Sequence, residues 1–355
     1  MSDVVEKPEV APVRSGEDLD WPALEGYLRN RLPSVAGEFS VLQFPNGSAN
    51  LTYLVRFGDD RVVVRRPPFG EIAKGAHDMS REYSVLSRMY DAYPRAPRAL
   101  HYCADGAVIG APFLVSEYRP GIVVWERVPE QLVVGTDPGR RIGFAVVDAL
   151  ADLHNVDPAA CGLADFGRPE GYLERQVHGW QRRWEVIATE SGHPIERVGE
   201  QLARQVPESG RAALVHNDFK VDNCQFAPGS PDVVATVFDW DMATTGDPLT
   251  DLGTLLNYWP DGTTPAEGVP GLENLGLPTR DEVVAHYAER TGRDLTRTAV
   301  AWYEAFGCFK TAVIMQQLYL RHLRGESTDD RMRARGEQSL RLADRALELA
   351  ETLEH

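Results

Sequence analysis

The sequence predicts an α+β protein in two lobes: a small antiparallel sheet on the N-terminal side, then a larger, mainly helical part. Three observations carry this. Strand-like runs dominate residues 39–65, apolar residues at helical spacing dominate from residue 140 onward, and Pro120-Gly121 separates the two regimes. A length of 355 residues suffices for about two domains, each with a core. The expected organisation is a flexible tail over 1–20, an N-terminal lobe over 21–118 and a C-terminal lobe over 119–355.

Composition narrows the class. Hydrophobic residues make 43% of the chain and charged ones 25%, the balance of a soluble globular protein. A formal net charge of −16 excludes a basic nucleic-acid footprint. Cys103, Cys161, Cys224 and Cys308 are scattered without a Cys-x-x-Cys pair, which speaks against zinc or redox work and for free thiols in a reducing, cytoplasmic setting. No signal peptide is expected, because no basic region followed by an apolar segment opens the chain. No apolar stretch reaches membrane-spanning length, so no membrane partner is expected. Absence of Gly-x-x-x-x-Gly-Lys-Ser/Thr removes P-loop enzymes.

In chain order, Trp21, Leu24, Tyr27 and Leu28 predict a helix that stops before Pro33. Strands follow over 39–44, 50–57 and 61–65, with Asn46-Gly47 as a hairpin signal and Gly58-Asp59-Asp60 as the next turn. Residues 80–89 read as a helix with Tyr83, Leu86 and Met89 inward and Glu82 within reach of Arg65. Strand alternation sends Arg66 to the face opposite Arg65. Pro120-Gly121 breaks the stretch over 111–121 and starts the second lobe.

Ile142, Ala145, Val146, Ala149, Leu150 and Leu153 predict a helix over 140–156, closed by His154 as a helix-end or core histidine. A helix over 173–187 places Trp180 and Trp184 one turn apart, where core packing is the expectation. Pro- and Gly-rich residues 260–280 form a loop or lid. Helices over 281–291, 299–323 and 331–353 complete the chain, the last either covering the core or pairing two subunits into a homodimer.

The chemistry gathers in 214–226 and 237–241. An apolar run ends at His216-Asn217-Asp218, a polar loop reaches Asn223, and a second run over 233–238 delivers Asp239 and Asp241. Runs separated by Pro228-Gly229-Ser230-Pro231 read as paired strands, which would bring Asn223 and Asp239 to one end of a small sheet with Asp218 facing them. Phosphoryl transfer needs oxygen ligands for Mg²⁺ and a carboxylate beside the attacking hydroxyl. Asp218 suits the carboxylate role; Asn223 and Asp239 suit the metal. Each fragment alone is also what an ordinary turn supplies, so order and spacing together carry the reading.

The spacing His216-x-Asp218-x-Lys220-x-x-Asn223 is that of the protein-kinase catalytic loop, and the segment resembles most closely the kinase-like aminoglycoside phosphotransferase and choline kinase family. It is similar in particular to the branch that includes the kinase-like domain fused to some acyl-CoA dehydrogenases. The resemblance implies a bilobal protein-kinase-like fold with ATP and Mg²⁺ as cofactors. It implies Asp218 as base, Lys220 in a supporting catalytic role, and Asn223 and Asp239 on the metal. It places Arg65, braced by Glu82, where the family carries a phosphate-binding lysine. The loop 46–50, with Ser48, would lie over the phosphates, and the Ser116 carbonyl and Tyr118 N–H would meet the adenine edge. Arg175 and Trp180 become acceptor-site candidates, and Asp251, in Gly246-Asp247-Pro248-x-x-Asp251-Leu252, would brace the catalytic loop. Asp241 takes the place of the family's glycine.

The leading reading is therefore a small-molecule kinase whose acceptor is a hydroxyacyl compound or other alcohol rather than an aminoglycoside. A catalytically silent nucleotide-binding protein and a metal-dependent phosphohydrolase using Asp239 and Asp241 are the alternatives.

Overall fold

The computed structural model describes residues 9–45, 50–70, 78–188, 193–261, 271–325 and 330–354; of 330, 331 and 354 only the backbone is described. The chain divides into two compact units, Met1–Pro120 and Gly121–His355.

The first unit contains α1 (Trp21–Arg31), β1 (Phe39–Gln43), β2 (Leu51–Phe57), β3 (Asp60–Arg66), α2 (Met79–Met89), β4 (Ala99–Cys103) and β5 (Phe113–Glu117). The strands form one antiparallel sheet in the order β1-β2-β3-β5-β4. Period-two alternation turns Tyr53, Val55 and Phe57 of β2 and Val62 and Val64 of β3 to one face, where Leu24 and Leu28 of α1 pack on them. Each such side chain, once fully buried, contributes about 1.5–3 kcal/mol. Asp20 caps α1 by accepting the Ala23 N–H, and Asp78 caps α2 by accepting from Ser80 and Arg81.

Two expectations change here. Residues 9–20 are not a loose tail: Ala11 and Gln43 exchange both backbone bonds at 2.8 Å, and Tyr53 Oη donates to the Glu17 carbonyl. Polar groups along the edge of β1 thereby gain partners. Tyr83 is only half-buried and stacks on Tyr102; Val85, Leu86 and Met89 fill the inward face of α2 instead.

The second unit contains β6 (Ile122–Val123), α3 (Pro138–Asn155), α4 (Tyr172–Ile187), α5 (Pro194–Arg204), β7 (Ala213–Val215), β8 (Cys224–Ala227), β9 (Ser230–Val237), β10 (Thr244–Gly246), α6 (Leu249–Asn257), α7 (Arg280–Thr291), α8 (Ala301–Leu323) and α9 (Arg335–Glu351). One small sheet runs β6-β8-β9 and another pairs β7 with β10, all antiparallel. Helices α6 and α8 cross at backbone distance, because a Cβ on Gly253 would stand 2.1 Å from the Tyr303 carbonyl oxygen. That close crossing brings polar residues of both helices towards the loop after β7. Helix α9 lays Leu342, Ala343 and Ala346 inward against the neighbouring helices, so it covers the core. Among the described residues no helix is long and apolar enough to cross a membrane.

Candidate active site

The antiparallel register Cys224↔Val237 sets the geometry of the site. It places Asn223 and Phe238 side by side, and the Phe238 N–H donates to the Asn223 carbonyl at 2.9 Å. Asp239 follows immediately, in the left-handed region at φ 68°. Backbone strain of this kind costs of order 1–3 kcal/mol and persists where the surroundings impose it. Next to it the Trp240 ring is buried and its Nε1 donates to the Val237 carbonyl at 2.8 Å.

The loop from β7 to β8 alternates. Phe219 and Val221 are buried anchors, while Asp218 and Lys220 keep 25% and 21% of their side chains accessible. Asn223 Nδ2 donates to the Asp218 carbonyl at 2.8 Å and to Asp218 Oδ2 at 3.1 Å. Both partners are acceptors, so Nδ2 is fixed there and Oδ1 is the oxygen left to meet a hard cation. Lys220 Nζ lies 3.6 Å from Asp218 Oδ2 and 3.4 Å from Asp222 Oδ2. Burial is the largest influence on Asp218 and pushes its carboxyl above the usual range; Lys220 pulls against this and the Asp239 charge adds to it. Burial opposes the Lys220 charge, but Asp218 and Asp222 outweigh it and hold the ammonium well above its ordinary value.

Beneath this surface lies a second set of bonds. Asp251 accepts from the His216 and Asn217 N–H groups, and the His154 Nε2 stands 3.2 Å from its Oδ2. His154 Nδ1 meets Tyr287 Oη at 2.7 Å, so this histidine is a core residue as expected. Burial alone would raise the Asp251 carboxyl; the hydrogen bond from His154 and the His216 backbone N–H bring it below the ordinary value. The buried His216 ring joins the two halves of the site. The Asp218 N–H points at its Nδ1 at 3.2 Å, and its Nε2 lies 2.7 Å from the Phe238 carbonyl. A donor on one side and an acceptor on the other require the neutral Nε2–H tautomer. Burial, which lowers the His216 pKa, favours that neutral form.

In the first unit the end of β3 behaves as the alternation predicts. Arg65 Nη1 meets Glu82 Oε1 of α2 at 2.8 Å, with 13% and 4% of the two side chains accessible. Arg66 turns to the other face, where it donates to the Pro67 and Ile109 carbonyls. Ser116 is paired within β5 to both Val63 and Ala99, and Tyr118 stacks under Arg61 and donates to Glu9. Ser48 lies outside the described residues.

The second unit thus brings together Asp218, Lys220, Asn223 and Asp239, with Asp251 behind them. Asp241 is half-buried beside them in sequence. Arg175 and Trp180 play other parts: Arg175 donates to the Arg168 and Glu170 carbonyls, and Trp180 is buried core. Sequence reasoning missed Asp222, Tyr172, Asn217 and Lys310. Of these Asp222 carried a signal, since an acidic residue two positions from Lys220 sits on the same side of the loop.

Among the described residues no cluster of three His, Cys, Asp or Glu side chains forms a self-sufficient metal site. The Asn223 amide oxygen and the Asp239 carboxylate nevertheless fit Mg²⁺, which binds through few protein oxygens and completes its shell with phosphate and water.

A small antiparallel-sheet unit followed by a helical unit with this loop defines a kinase-like phosphotransferase fold. Residues 40–296 match the phosphotransferase enzyme family, and the chain belongs to it. It is 33% identical over 352 residues to mouse acyl-CoA dehydrogenase family member 10, covering 97% of this chain and 32% of that protein. It is 32% identical over 322 residues to rat acyl-CoA dehydrogenase family member 11, covering 88% of this chain and 41% of that protein. The chain therefore spans well under half the length of these relatives. Among solved structures, a Ralstonia eutropha protein assigned as an aminoglycoside phosphotransferase superposes with TM-score 0.76 at 29% identity, covering 94% of this chain and 99% of that one. Choline kinase from Cryptosporidium parvum shares the fold at TM-score 0.62 and 14% identity, over 94% of this chain and 96% of that one.

Proposed function

We propose that this chain is a small-molecule kinase that transfers the γ-phosphoryl group of Mg-ATP to a hydroxyl of a small acceptor. The observation that carries this is the pair of hydrogen bonds that Asn223 Nδ2 donates to the carbonyl and the carboxylate of Asp218. It fuses the proton acceptor and a metal ligand into one rigid piece beside Asp239. Asp218 orients the acceptor hydroxyl and takes its proton as the oxygen–phosphorus bond forms and the bond to the ADP oxygen breaks. When bound, Mg²⁺ supplies charge neutralisation on the phosphates, held by Asn223 Oδ1 and Asp239. Lys220 offers a fixed positive charge beside the transferring group. Arg65, held by Glu82, offers a fork suited to phosphate oxygens. The Ser116 carbonyl and Tyr118 N–H are assigned to the adenine edge.

A hydroxyacyl compound or other carbon-chain alcohol is the acceptor class we favour over an aminoglycoside. Support comes from the relatives, acyl-CoA dehydrogenase family members of which this chain covers 32% and 41%. A cytoplasmic setting agrees with Cys103, Cys161, Cys224 and Cys308, all free thiols. A silent nucleotide binder has no use for the Asp218–Asn223 bond, and a phosphohydrolase leaves the Arg65–Glu82 pair without a role. The test is incubation with γ-³²P-ATP, Mg²⁺ and a panel of hydroxyacyl compounds, simple alcohols and aminoglycosides. Label should pass to a carbon-chain alcohol. Label on no acceptor contradicts the kinase reading, and phosphate release from a monoester without ATP would favour the hydrolase.

A further inference from the structure

Asn217, immediately before Asp218, is a non-glycine residue in the left-handed region at φ 68°. An isolated residue there relaxes unless its surroundings hold it. Every polar group of Asn217 is held. Its N–H donates to Asp251 Oδ1 at 2.6 Å, its Nδ2 donates to the Met242 carbonyl at 3.0 Å, and its Oδ1 accepts from Tyr172 Oη at 3.1 Å. The fourth grip is the least expected: the ammonium of Lys310, 93 residues away on α8, donates to the Asn217 carbonyl. Lys310 is 3% exposed, and burying an ammonium is costly unless a specific interaction repays it.

The peptide group that Lys310 holds is the one joining Asn217 to Asp218. Its carbonyl is bound to Lys310, and its N–H points at His216 Nδ1. Rotation of this peptide would swing the Asp218 side chain away from Asn223. A neutral side chain of similar length would fill the space without gripping the carbonyl, so packing alone does not explain a lysine here. Burial lowers the Lys310 pKa, with Arg183 adding to it, while Asp218 and Asp251, the two carboxylates that flank this peptide, oppose the shift and favour the charged form.

We infer that Lys310 is a positioning residue for phosphoryl transfer: by clamping the Asn217–Asp218 peptide from α8, it fixes where the Asp218 carboxylate meets the acceptor hydroxyl. This rests on the kinase reading for its kinetic consequence, but the clamp itself can be measured without turnover.

The test compares K310M and K310R with the wild-type chain, using steady-state turnover of Mg-ATP and hydrogen exchange of the backbone amides. K310M should lower kcat about 100-fold, the scale of a displacement of roughly 1 Å at a reacting group, with KM for ATP within about twofold. K310R, which keeps charge and donor, should recover at least about tenfold of that loss. Amides of residues 216–219 should exchange at least about tenfold faster in K310M, with those of the first unit unchanged. Unchanged exchange at 216–219, a KM effect in place of the kcat effect, or a K310M chain that no longer folds would each overturn the assignment. A wild-type chain that turns over no nucleotide would defeat the kinase reading, and the exchange result would still decide the clamp.

Discussion

Asp251 accepts the backbone N–H groups of His216 and Asn217 at 2.6 Å each, one on each carboxylate oxygen. Carried on α6, this side chain is fully buried, and it fixes the loop at the residue before its left-handed turn and at the turn itself. D251A would strand two buried donors and an imidazole, so it should cost about 3–5 kcal/mol in denaturant unfolding. A cost below about 1 kcal/mol would show the brace to be incidental.

The same carboxylate makes a pH prediction. Its folded-state pKa lies below the ordinary value of 3.8, so the unfolded chain binds the proton more readily. The stability it contributes is present above 3.8 and is lost as pH falls through the lower, folded value. Acid unfolding followed by circular dichroism should therefore be shallower in D251N than in the wild-type chain below pH 4.

His216 gives a spectroscopic prediction. Hydrogen bonding on both sides requires the neutral Nε2–H tautomer, and burial moves its pKa below the ordinary 6.5. Long-range ¹H–¹⁵N correlation spectra should show that tautomer at pH 7, and imidazolium as the minority form at pH 6.5. An Nδ1–H tautomer would mean that the Asp218 N–H is not bonded to this ring.

How much of this was legible in the sequence follows from the reach of each contact. His216, Asp218, Lys220 and Asn223 lie within eight consecutive residues, so a short loop between two apolar runs was enough to announce them. Arg65 was separable from Arg66 because a strand alternates with period two. Lys310 was not legible: it sits among apolar residues of α8, and its partner is 93 residues away. Tyr172 and Asn217 were hidden for the same reason, meeting across 45 residues. Strand β10 escaped notice because three residues show no periodicity, and its partner β7 is equally short. The hold of Gln43 on residues 11–14 is a backbone and amide matter that apolar patterning does not register.

Glu304 of α8 is a structural node distinct from the site. It is fully buried and bonded by Arg280 at 2.5 Å, Arg345 at 2.6 Å, and Arg297. E304Q leaves Arg280 and Arg345 without the carboxylate they share, Arg297 keeping Asp281, and should lower unfolding stability by about 3–5 kcal/mol. Retained stability would show that the arginines find water or other acceptors.

Arg65 should act on nucleotide affinity. R65A should weaken Mg-ATP binding by calorimetry about tenfold or more, and R65K should recover part of it, since lysine supplies the charge without the fork. Equal affinity in all three chains would remove Arg65 from the nucleotide site.

In the proposed reaction Asp218 receives the proton of an acceptor hydroxyl while Asn223 and Asp239 serve the metal. The most direct test is D218N, assayed for kcat and, separately, for Mg-ATP binding. D218N should lower kcat by about 10²–10⁴-fold, the scale for a lost general base, with Kd changed by less than about threefold. A D218N chain that turns over at the wild-type rate would contradict it.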